Sequence, residues 1–567
     1  MEFVIVGFAI VITLLIKLIY DEKRLCRKRV NQIKRAWGQV PDEEYTVEKF
    51  QSLRFYYDAM KDAARDVDDI TWNDIDMDEI YMLLNNTGSA VGEEYLYAVL
   101  RKLQYDDKVL NERERLITYF MDHPDERLKL QLALSNMGKL RNVSFYQYIN
   151  YAHEIEKKSS LPHYLYAGSL AGSAVLLALS PALGISPGVP LLLLVFCIGN
   201  NMVQYYKRKA KIEKYFNVFA SILRLLSGMK KICELDIPEL DRYIAELREE
   251  EIRFRKFRKG ASMVIGNNMG GSIMDVVMDY VRMIVHIDLI KFNHMVSEVQ
   301  NNKEAINHIF ETVGTLDSMI AIASFRVLIG SYSIPKLEKT TKPYLHVKEV
   351  FHPLIDNPVR NTINESRCVL ITGSNASGKS TFIKTIAINA ILSQTIHTSM
   401  ASEYKACYFK VYSSMALTDN ILGKESYYIV EIKSLKRILD QLEEAVPTLC
   451  FVDEVLRGTN TLERIAASSR ILESFSIRNA VCFAATHDIE LTYILEKLYS
   501  NYHFQEQIQD DEILFDYKLY EGRAISRNAI KLLGIMGYQD EIIKEATEAA
   551  NEFMEKGVWS PLNRTML

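Results

Sequence analysis

The chain has 567 residues, so about two to four domains are expected. Hydrophobic residues make up 48% and charged residues 25%, which excludes a disordered or collagen-like chain. With 68 basic and 73 acidic residues the formal net charge is −5, which argues against a uniformly basic nucleic-acid coat protein.

The first predicted element is an N-terminal membrane anchor, residues 1–20. Residues 3–16 are uncharged and mostly aliphatic, Lys17 interrupts the run, and residues 18–20 extend it to about the shortest length that can span a bilayer. A secretory signal peptide is the alternative interpretation, but it requires a basic segment before the apolar run. Here the basic cluster follows it, at residues 23–29. We therefore predict an uncleaved anchor whose basic side faces the cytosol.

A second apolar region predicts a transmembrane helical hairpin. Residues 164–206 carry no charge, and Ser-Pro breaks at 180–181 and 186–187 divide them into two halves of spanning length. Lysines at 157–158 and the KRKAK segment at 207–211 would hold both ends in the cytosol. A buried hairpin in the core of a soluble domain is the alternative. With the anchor, the prediction is a multi-pass membrane protein with three spans.

The remainder of the chain predicts an all-α region followed by an α/β domain. Residues 21–160 and 207–330 are rich in charge and helix formers, which indicates a cytosolic helical region and a helical core or lever region. Beyond about residue 340, short β-branched runs alternate with helical segments, as in a parallel sheet with crossover helices. The α/β domain is assigned to residues 331–567 and predicted to be cytoplasmic.

A phosphate-binding loop is predicted at the start of this domain. The apolar run 368–372 predicts a strand, and residues 382–394 predict a helix. The pattern GxxxxGK[ST] lies between them. In this setting the glycines let backbone N–H groups turn toward phosphates, next to the positive end of the helix. The predicted nucleotide-binding residues are Gly373, Ser374, Asn375, Ala376, Ser377, Gly378, Lys379, Ser380 and Thr381.

Two of these residues have further predicted roles. Lys379 can reach the β- and γ-phosphates, and Ser380 can bind Mg²⁺. A GTPase is disfavoured because the chain has no NKxD guanine-reading motif; the segment at 302–305, Asn-Lys-Glu-Ala, lacks the aspartate. The predicted cofactors are therefore ATP and Mg²⁺.

Two later strands end in residues suited to hydrolysis. Residues 449–452 are apolar and lead into Asp453, which suits Mg²⁺, and Glu454, which can polarise the attacking water. Residues 481–486 lead into His487, a candidate sensor of the γ-phosphate. Each run is a weak signal alone, but after a phosphate-binding loop the set is strong. We predict Glu454, His487 and Lys379 as catalytic and Ser380 and Asp453 as metal ligands.

Taken in order, the segments TGSNASGKST (372–381), FVDEVLRGTNT (451–461) and ATHDIELT (485–492) resemble the ATPase domain of the MutS family, the DNA mismatch-repair ATPases related to ABC ATPases. The family's DE-x-x-RGT stretch is matched at residues 453–459. The resemblance implies a P-loop NTPase of the MutS type. It also implies that His352, in FHPL, packs near the adenine.

The resemblance further implies a homodimer with composite sites. Ser426 matches the serine that reaches the γ-phosphate of the partner subunit, although Gly423 stands one residue early and Lys424 takes the usual place of the glycine. Residues 521–538 resemble the family's C-terminal segment, which we assign to dimerisation. Residues 85–101, 111–120 and 315–325 resemble the helical core and its lever helix more faintly.

The chain also departs from the family. The mismatch-reading Phe-x-Glu motif is absent near the N-terminus, since Phe504-Gln505-Glu506 follows the ATPase strands. The segment before the core is too short for the reading domain, and the apolar hairpin is an insertion. The sequence thus resembles a divergent, membrane-anchored MutS-like branch.

Two classes of function follow from the sequence. The first is a membrane-held ATPase related to DNA binding and mismatch repair, which the resemblance motivates and the acidic charge weakens. The second is a membrane-centred ATP-driven machine, or a nucleotide-gated scaffold, acting on a protein or lipid. Expected partners are a second copy, membrane lipid, contacted also by the basic cluster at 23–35, and DNA as a candidate. The seven cysteines stand too far apart for a CxxC motif, so no zinc is expected.

Overall fold

A computed structural model describes most of the chain. The described residues are 17, 20–21, 23–212, 215–258, 280–281, 283–374, 377–415, 427–442, 445–509, 512–524, 530, 533 and 536–561. Almost all of the predicted N-terminal anchor, and the predicted site residues Asn375, Ala376 and Ser426, lie outside these ranges. The chain divides into two compact units, the first of Met1–Lys61, Met82–Val99 and Arg113–Leu328, and the second of Asp62–Tyr81, Leu100–Glu112 and Ile329–Leu567.

The described helices up to residue 329 are α1 Val47–Ala59, α2 Asp69–Asp74, α3 Met77–Leu84, α4 Ala90–Arg101, α5 Asp107–Asp122, α6 Pro124–Ser135, α7 Phe145–Glu154, α8 Leu161–Leu179, α9 Gly188–Ile212, α10 Phe216–Cys233, α11 Asp241–Arg258, α12 Ile287–Asn301 and α13 Lys303–Ile329. Residues 23–36 are also helical. The first unit is built mainly from these helices, as the charge-rich, helix-forming sequence predicted, while α2 and parts of α3, α4 and α5 belong to the second unit.

The long helix α13 lies in the core of the first unit and is crossed closely by α4. The Asp317 carboxylate on α13 is fully buried and accepts hydrogen bonds from Gly88 N, from Ser89 N (both 2.9 Å) and from the Ser89 hydroxyl. Gly92 on α4 lies so close that an added Cβ would stand 2.1 Å from Asp317 Oδ2. The glycine therefore permits the crossing, and the aspartate joins the two segments.

Helices α8 and α9 pair as a hairpin that contains the predicted residues 164–206 and extends a few residues beyond them at each end. Two helices in the described ranges are long and apolar enough to cross a membrane, Gly188–Ile212 and Lys303–Ile329. The most apolar stretch of 18 residues is 17% buried in Gly188–Ile212 and 78% buried in Lys303–Ile329. The second is therefore the core helix α13, whereas α9 exposes apolar side chains such as Leu192 and Phe196, which are 72% and 70% exposed. Length and composition alone do not separate a membrane span from a core helix.

The second unit is mixed α/β. Its described strands are β1 Lys336–Glu338, β2 Leu345–Val350, β3 Asn361–Glu365, β4 Cys368–Thr372, β5 Glu403–Cys407, β6 Lys410–Ser414, β7 Thr448–Asp453, β8 Ala480–Ala485, β9 Tyr499–His503, β10 Glu506–Gln509, β11 Glu512–Phe515 and β12 Tyr520–Glu521. Its described helices beyond residue 330 are α14 Lys379–Thr395, α15 Tyr427–Asp440, α16 Thr461–Ser476, α17 Ile489–Ile494 and α18 Asp540–Lys556.

The main sheet has the order β12-β9-β4-β8-β7-β6. Its five strands β9, β4, β8, β7 and β6 pair in parallel, and β12 joins the edge antiparallel. The central strands are continuous apolar runs and are buried along nearly their whole length, as expected when helices cover both faces of a parallel sheet. A smaller sheet, β1-β5-β2-β3, and the hairpin β10–β11 complete the unit. A helical region followed by an α/β domain is thus confirmed.

Two short segments from the first half of the chain, Asp62–Tyr81 and Leu100–Glu112, belong to this second unit. Helix α2 packs against β6. The buried Asp74 carboxylate accepts a hydrogen bond from the Ser413 hydroxyl at 2.6 Å and another from Met415 N at 2.9 Å. The Tyr408 hydroxyl donates to Asp107 at 2.6 Å. Hydrogen bonds of this kind attach the two segments to the β6 side of the sheet.

Candidate functional site

The predicted phosphate-binding loop joins β4 to α14 directly. Gly373 has φ +150° and Gly378 has φ +104°, conformations that side chains with a Cβ rarely adopt. An added Cβ on Gly373 would also stand 2.9 Å from the Phe504 carbonyl oxygen. Helix α14 begins at Lys379, immediately after Gly378, so its free N–H groups open toward the loop. The two glycines therefore allow the sharp strand-to-helix reversal that the motif requires.

The Lys379 side chain folds back over this loop. Its ammonium donates hydrogen bonds to the carbonyl oxygens of Gly373 and Ser374, both at 2.8 Å. Burial lowers the pKa of Lys379, while the nearby carboxylates of Asp453 and Glu454 raise it. The ammonium is thus held at the loop by two acceptors that a phosphate could replace.

Ser380 and Asp453, both predicted as Mg²⁺ ligands, are in contact. The Ser380 hydroxyl donates a hydrogen bond of 2.6 Å to Asp453 Oδ2, across the carboxyl ends of β4 and β7. A hydroxyl and a carboxylate are hard oxygen donors of the kind that Mg²⁺ prefers. In the described part of the chain, no group of three or more His, Cys, Asp or Glu side chains could hold a metal ion. The Ser380 hydroxyl and the Asp453 carboxylate are donors of a type that fits Mg²⁺.

Glu454 and His487 are brought together at the same edge. Glu454 has φ +54°, and its carboxylate lies 3.0 Å from His487 Nε2 and 2.8 Å from Arg457 Nε. Burial lowers the pKa of His487, and Lys379 lowers it further, whereas Glu454 opposes both effects. The Glu454 carboxylate is therefore fixed between two cationic or hydrogen-bonding groups, beside the phosphate-binding loop.

A cavity of about 590 Å³ opens next to the loop. Its walls include His352, Glu454 and the predicted residues Ser377, Gly378, Lys379, Ser380 and Thr381. This volume lies in the range of pockets that bind small molecules. Burial, helped by the charge of Lys384, lowers the pKa of His352 to about 4, so its ring is neutral at pH 7. A neutral ring is suited to packing against a nucleobase.

The structure adds residues that the sequence motifs did not reveal. Tyr517 lines the cavity, and its ring lies against Gly378. Asn361 on β3 holds this turn: its amide donates to Tyr517 O at 3.0 Å, and its Oδ1 accepts from Leu519 N at 2.9 Å. Glu506 accepts a hydrogen bond from the Ser374 hydroxyl. Tyr517 and Asn361 stand outside every motif, so only the tertiary contact identifies them.

The described members of the predicted site thus lie around one edge of the main sheet. Gly373 and Ser374 accept from Lys379, Asp453 is bonded to Ser380, and His487 is bonded to Glu454. His352 reaches the cavity from a different part of the unit, after β2. The chemical roles assigned to all of these residues stay predictions.

Comparison with known proteins agrees with this arrangement. The family model described as MutS domain V matches residues 369–554. The DNA mismatch repair protein MutS of Thermotoga petrophila is 30% identical over 270 residues, which are 45% of this chain and 33% of that protein. For MutS of Leptospira interrogans the identity is 30% over 290 residues, 48% of this chain and 33% of that protein. MutS protein homolog 4 of Homo sapiens is 28% identical over 291 residues, covering 48% and 30%.

The matched region contains the phosphate-binding loop, Asp453, Glu454 and His487, and it begins within β4. The chain spans about a third of the length of these relatives. The region that carries most of the candidate site is thus similar to MutS domain V, and through it the chain is similar to the MutS family.

Proposed function

We propose that the second unit is a P-loop ATPase that binds ATP with Mg²⁺ and hydrolyses it. The observation that carries the proposal is the meeting of three pairs at one sheet edge: Lys379 with the loop, Ser380 with Asp453, and Glu454 with His487. The pairs draw on the carboxyl ends of β4, β7 and β8, and one member of each pair, Lys379, Ser380 or Glu454, lines the cavity beside Tyr517. Parallel α/β sheets bind ligands at this edge.

In this proposal the loop binds the phosphates of ATP and the cavity binds its base. The backbone N–H groups at the start of α14, with the Lys379 ammonium, suit the phosphates. The aromatic and neutral side chains of Tyr517, Phe351 and His352 suit the base. Ser380 and Asp453 would hold Mg²⁺, which neutralises the charge of the phosphates.

For hydrolysis, Glu454 is the group that orients and polarises the attacking water. Its carboxylate is held by Arg457 and His487. A carboxylate fixed in this way acts at a defined position, which is how a general base contributes to the rate. His487, near both Lys379 and Glu454, is placed to respond to the terminal phosphate.

We also propose that two copies of the chain form composite sites, with Ser426 of one copy completing the site of the other. The resemblance to the MutS family motivates this. Helix α18 and the residues around it expose large apolar side chains, including Met536, Ile542 and Trp559, which supports a contact of this C-terminal segment with a second copy.

The hairpin α8–α9 is proposed to lie in a membrane, with the ATPase unit on the cytosolic side. Apolar side chains are exposed along both helices, among them Leu165, Val175, Leu192 and Phe196, and water would solvate these poorly. Lysines flank both outer ends of the hairpin, as expected for ends that remain cytosolic. Together with the anchor at residues 1–20, this gives three spans and the domain boundaries proposed from the sequence.

We propose two alternative targets for the ATPase. The relatives named DNA mismatch repair proteins favour a DNA-related function. The exposed hairpin, by contrast, favours a membrane-centred machine or nucleotide-gated scaffold that acts on a protein or lipid. These two functions differ in whether DNA changes the rate of ATP hydrolysis.

The deciding experiment is ATP turnover by the detergent-purified full chain, with and without duplex, branched and mismatched DNA. Stimulation by any of these, weakening steeply with salt, would support the DNA-handling function. Turnover unaffected by all three would favour the membrane-centred function. Lys379→Ala is the control, since it should bind little nucleotide. If this variant binds ATP as well as the unaltered chain, the site is assigned wrongly.

A further inference from the structure

A cleft of about 590 Å³ lies at the base of the hairpin. The residues that line it are far from those of the ATP site in the sequence. One wall is formed by Lys158, Ser160 and Tyr164, where the chain enters α8. The opposite wall is α12, from Ile287 to Ser297. The apolar surface of the hairpin begins immediately beside the cleft, with Leu161 and Leu165 exposed.

The lining of this cleft includes two lysines and several hydrogen-bond donors. Lys158, Lys291 and His294 line it together with the Ser160 and Ser297 hydroxyls, and no carboxylate is among the lining residues that the structure describes. Two acids contact lining residues: Glu156 lies 3.9 Å from the Lys158 ammonium and Glu298 lies 3.8 Å from His294 Nε2. Burial lowers the pKa of Lys291, and the nearby Glu298 opposes this shift. An anion in the cleft would be attracted by the two lysines that line it.

The same lining contains the apolar side chains of Ile287 and Ile290 and the ring of Tyr164. Tyr164 is exposed on α8, close to the exposed Leu161 and Leu165. An inorganic anion would use the lysines and the hydrogen-bond donors but not the apolar side chains. A ligand with a phosphate at one end and hydrocarbon at the other would use both, and a bilayer presents such ligands at the depth where a membrane hairpin ends.

Hydrogen bonds hold the walls of the cleft in place. Lys209 at the end of α9 donates to the Tyr205 hydroxyl at 2.8 Å, and that hydroxyl donates to Asp288 on α12 at 2.7 Å. His163 in α8 lies 2.9 Å from His286, nitrogen to nitrogen, directly before α12. Both helices of the hairpin are thus attached to the start of α12, so the cleft is formed before any ligand arrives.

We propose that this cleft binds the phosphate headgroup of an anionic phospholipid, with Lys158 and Lys291 contacting the phosphate and Tyr164 packing on the glycerol and upper acyl chain. The proposal rests on the placement of the hairpin in a membrane. It goes further by naming a lipid class and the residues that select it.

The test uses the full chain in detergent, with native mass spectrometry after addition of phosphatidylglycerol or phosphatidylcholine at equal concentration. The unaltered protein should retain phosphatidylglycerol in preference to phosphatidylcholine. The double variant Lys158→Gln/Lys291→Gln should lose about 25-fold in affinity for phosphatidylglycerol, at about fivefold for each lysine. The matched control Lys230→Gln/Lys231→Gln, at the exposed end of α10, should retain it.

Three results would overturn the proposal: equal retention of both lipids, unaltered retention by the double variant, or displacement of the lipid by millimolar inorganic phosphate at constant ionic strength. The last result would assign the site to free phosphate instead. Flotation of the same proteins with phosphatidylcholine vesicles separates this proposal from the membrane hairpin itself. If the unaltered chain does not float, the hairpin proposal fails. If the double variant floats and also keeps its lipid, only the headgroup proposal fails.

Discussion

Glu454→Gln is the most direct perturbation of the proposed ATPase chemistry. The substitution keeps the shape of the side chain and removes its negative charge. The carboxylate now faces His487 Nε2 at 3.0 Å and Arg457 Nε at 2.8 Å, and the amide of a glutamine can accept from only one of them. A neutral amide also cannot take a proton from water. Loss of a positioned general base lowers a rate by about 100- to 10,000-fold, which corresponds to about 3 to 5 kcal/mol of activation free energy.

Binding of ATP should survive the same substitution. The groups proposed to contact phosphate and Mg²⁺ are the loop, Lys379, Ser380 and Asp453, and none of their hydrogen bonds involves Glu454. The variant should therefore bind ATP with nearly unaltered affinity, hydrolyse it very slowly, and accumulate in the ATP-bound dimer.

Three measurements check this prediction: single-turnover hydrolysis, equilibrium ATP binding, and the oligomeric state with ATP by size-exclusion chromatography with light scattering. The matched control is Glu473→Gln, which alters a glutamate paired with Arg470 at 2.8 Å on the outside of α16. This control should hydrolyse ATP normally. Undiminished hydrolysis by Glu454→Gln would remove Glu454 from its proposed role, and an equal loss of binding would show that it holds the nucleotide instead.

Three further predictions concern the cavity and the core of the first unit. Tyr517→Ala should weaken ATP binding about fivefold, as expected for a lost aromatic contact of about 1 kcal/mol, whereas Tyr517→Phe should bind ATP normally. If a binding titration gives the same affinity for the unaltered chain and both variants, the assigned role of the ring is wrong. Gly92→Ala should lower the melting temperature by several degrees because its Cβ would stand 2.1 Å from Asp317 Oδ2, and overpacking costs about 1 to 3 kcal/mol; Gly172→Ala, where an added Cβ meets open space, is the control for thermal unfolding. Burial raises the pKa of Asp317 to about 6 in the folded chain, so the stability that its protonated form contributes is complete below about pH 4 and is lost as the pH rises through about 6. The difference in unfolding free energy between the unaltered chain and Asp317→Asn should therefore shrink over that pH interval. A difference that does not change with pH would contradict the raised pKa.

Much of the second unit was predictable from sequence because its signals are local. Short continuous apolar runs such as 368–372 and 480–485 are typical of strands buried on both faces, and such strands are characteristic of parallel sheets. Since the carboxyl ends of parallel strands share one edge, residues that follow them lie close together, and the structure pairs Ser380 with Asp453 and His487 with Glu454 there. The site could thus be located without knowing the complete topology.

The residues that complete the cavity could not be found in this way. Tyr517 reaches the loop because Asn361, 156 residues earlier, bonds its carbonyl oxygen. A tyrosine in a surface turn has no periodicity or spacing that marks it as a ligand contact. The same holds for the cleft at the hairpin base, whose walls are separated by more than a hundred residues of chain.

The sequence by itself determined the order of a helical region and an α/β domain, the phosphate-binding loop and its catalytic candidates, and the position of an apolar hairpin. Hydrophobic periodicity and motif spacing involve residues that are close in the sequence, so both can be recognised from the sequence alone. Only the tertiary structure decided that Asp62–Tyr81 and Leu100–Glu112 join the α/β unit, and that buried groups such as Asp74 and Ser413 meet. Those contacts join distant parts of the chain, and packing of the whole unit selects them from many pairings of equal local propensity.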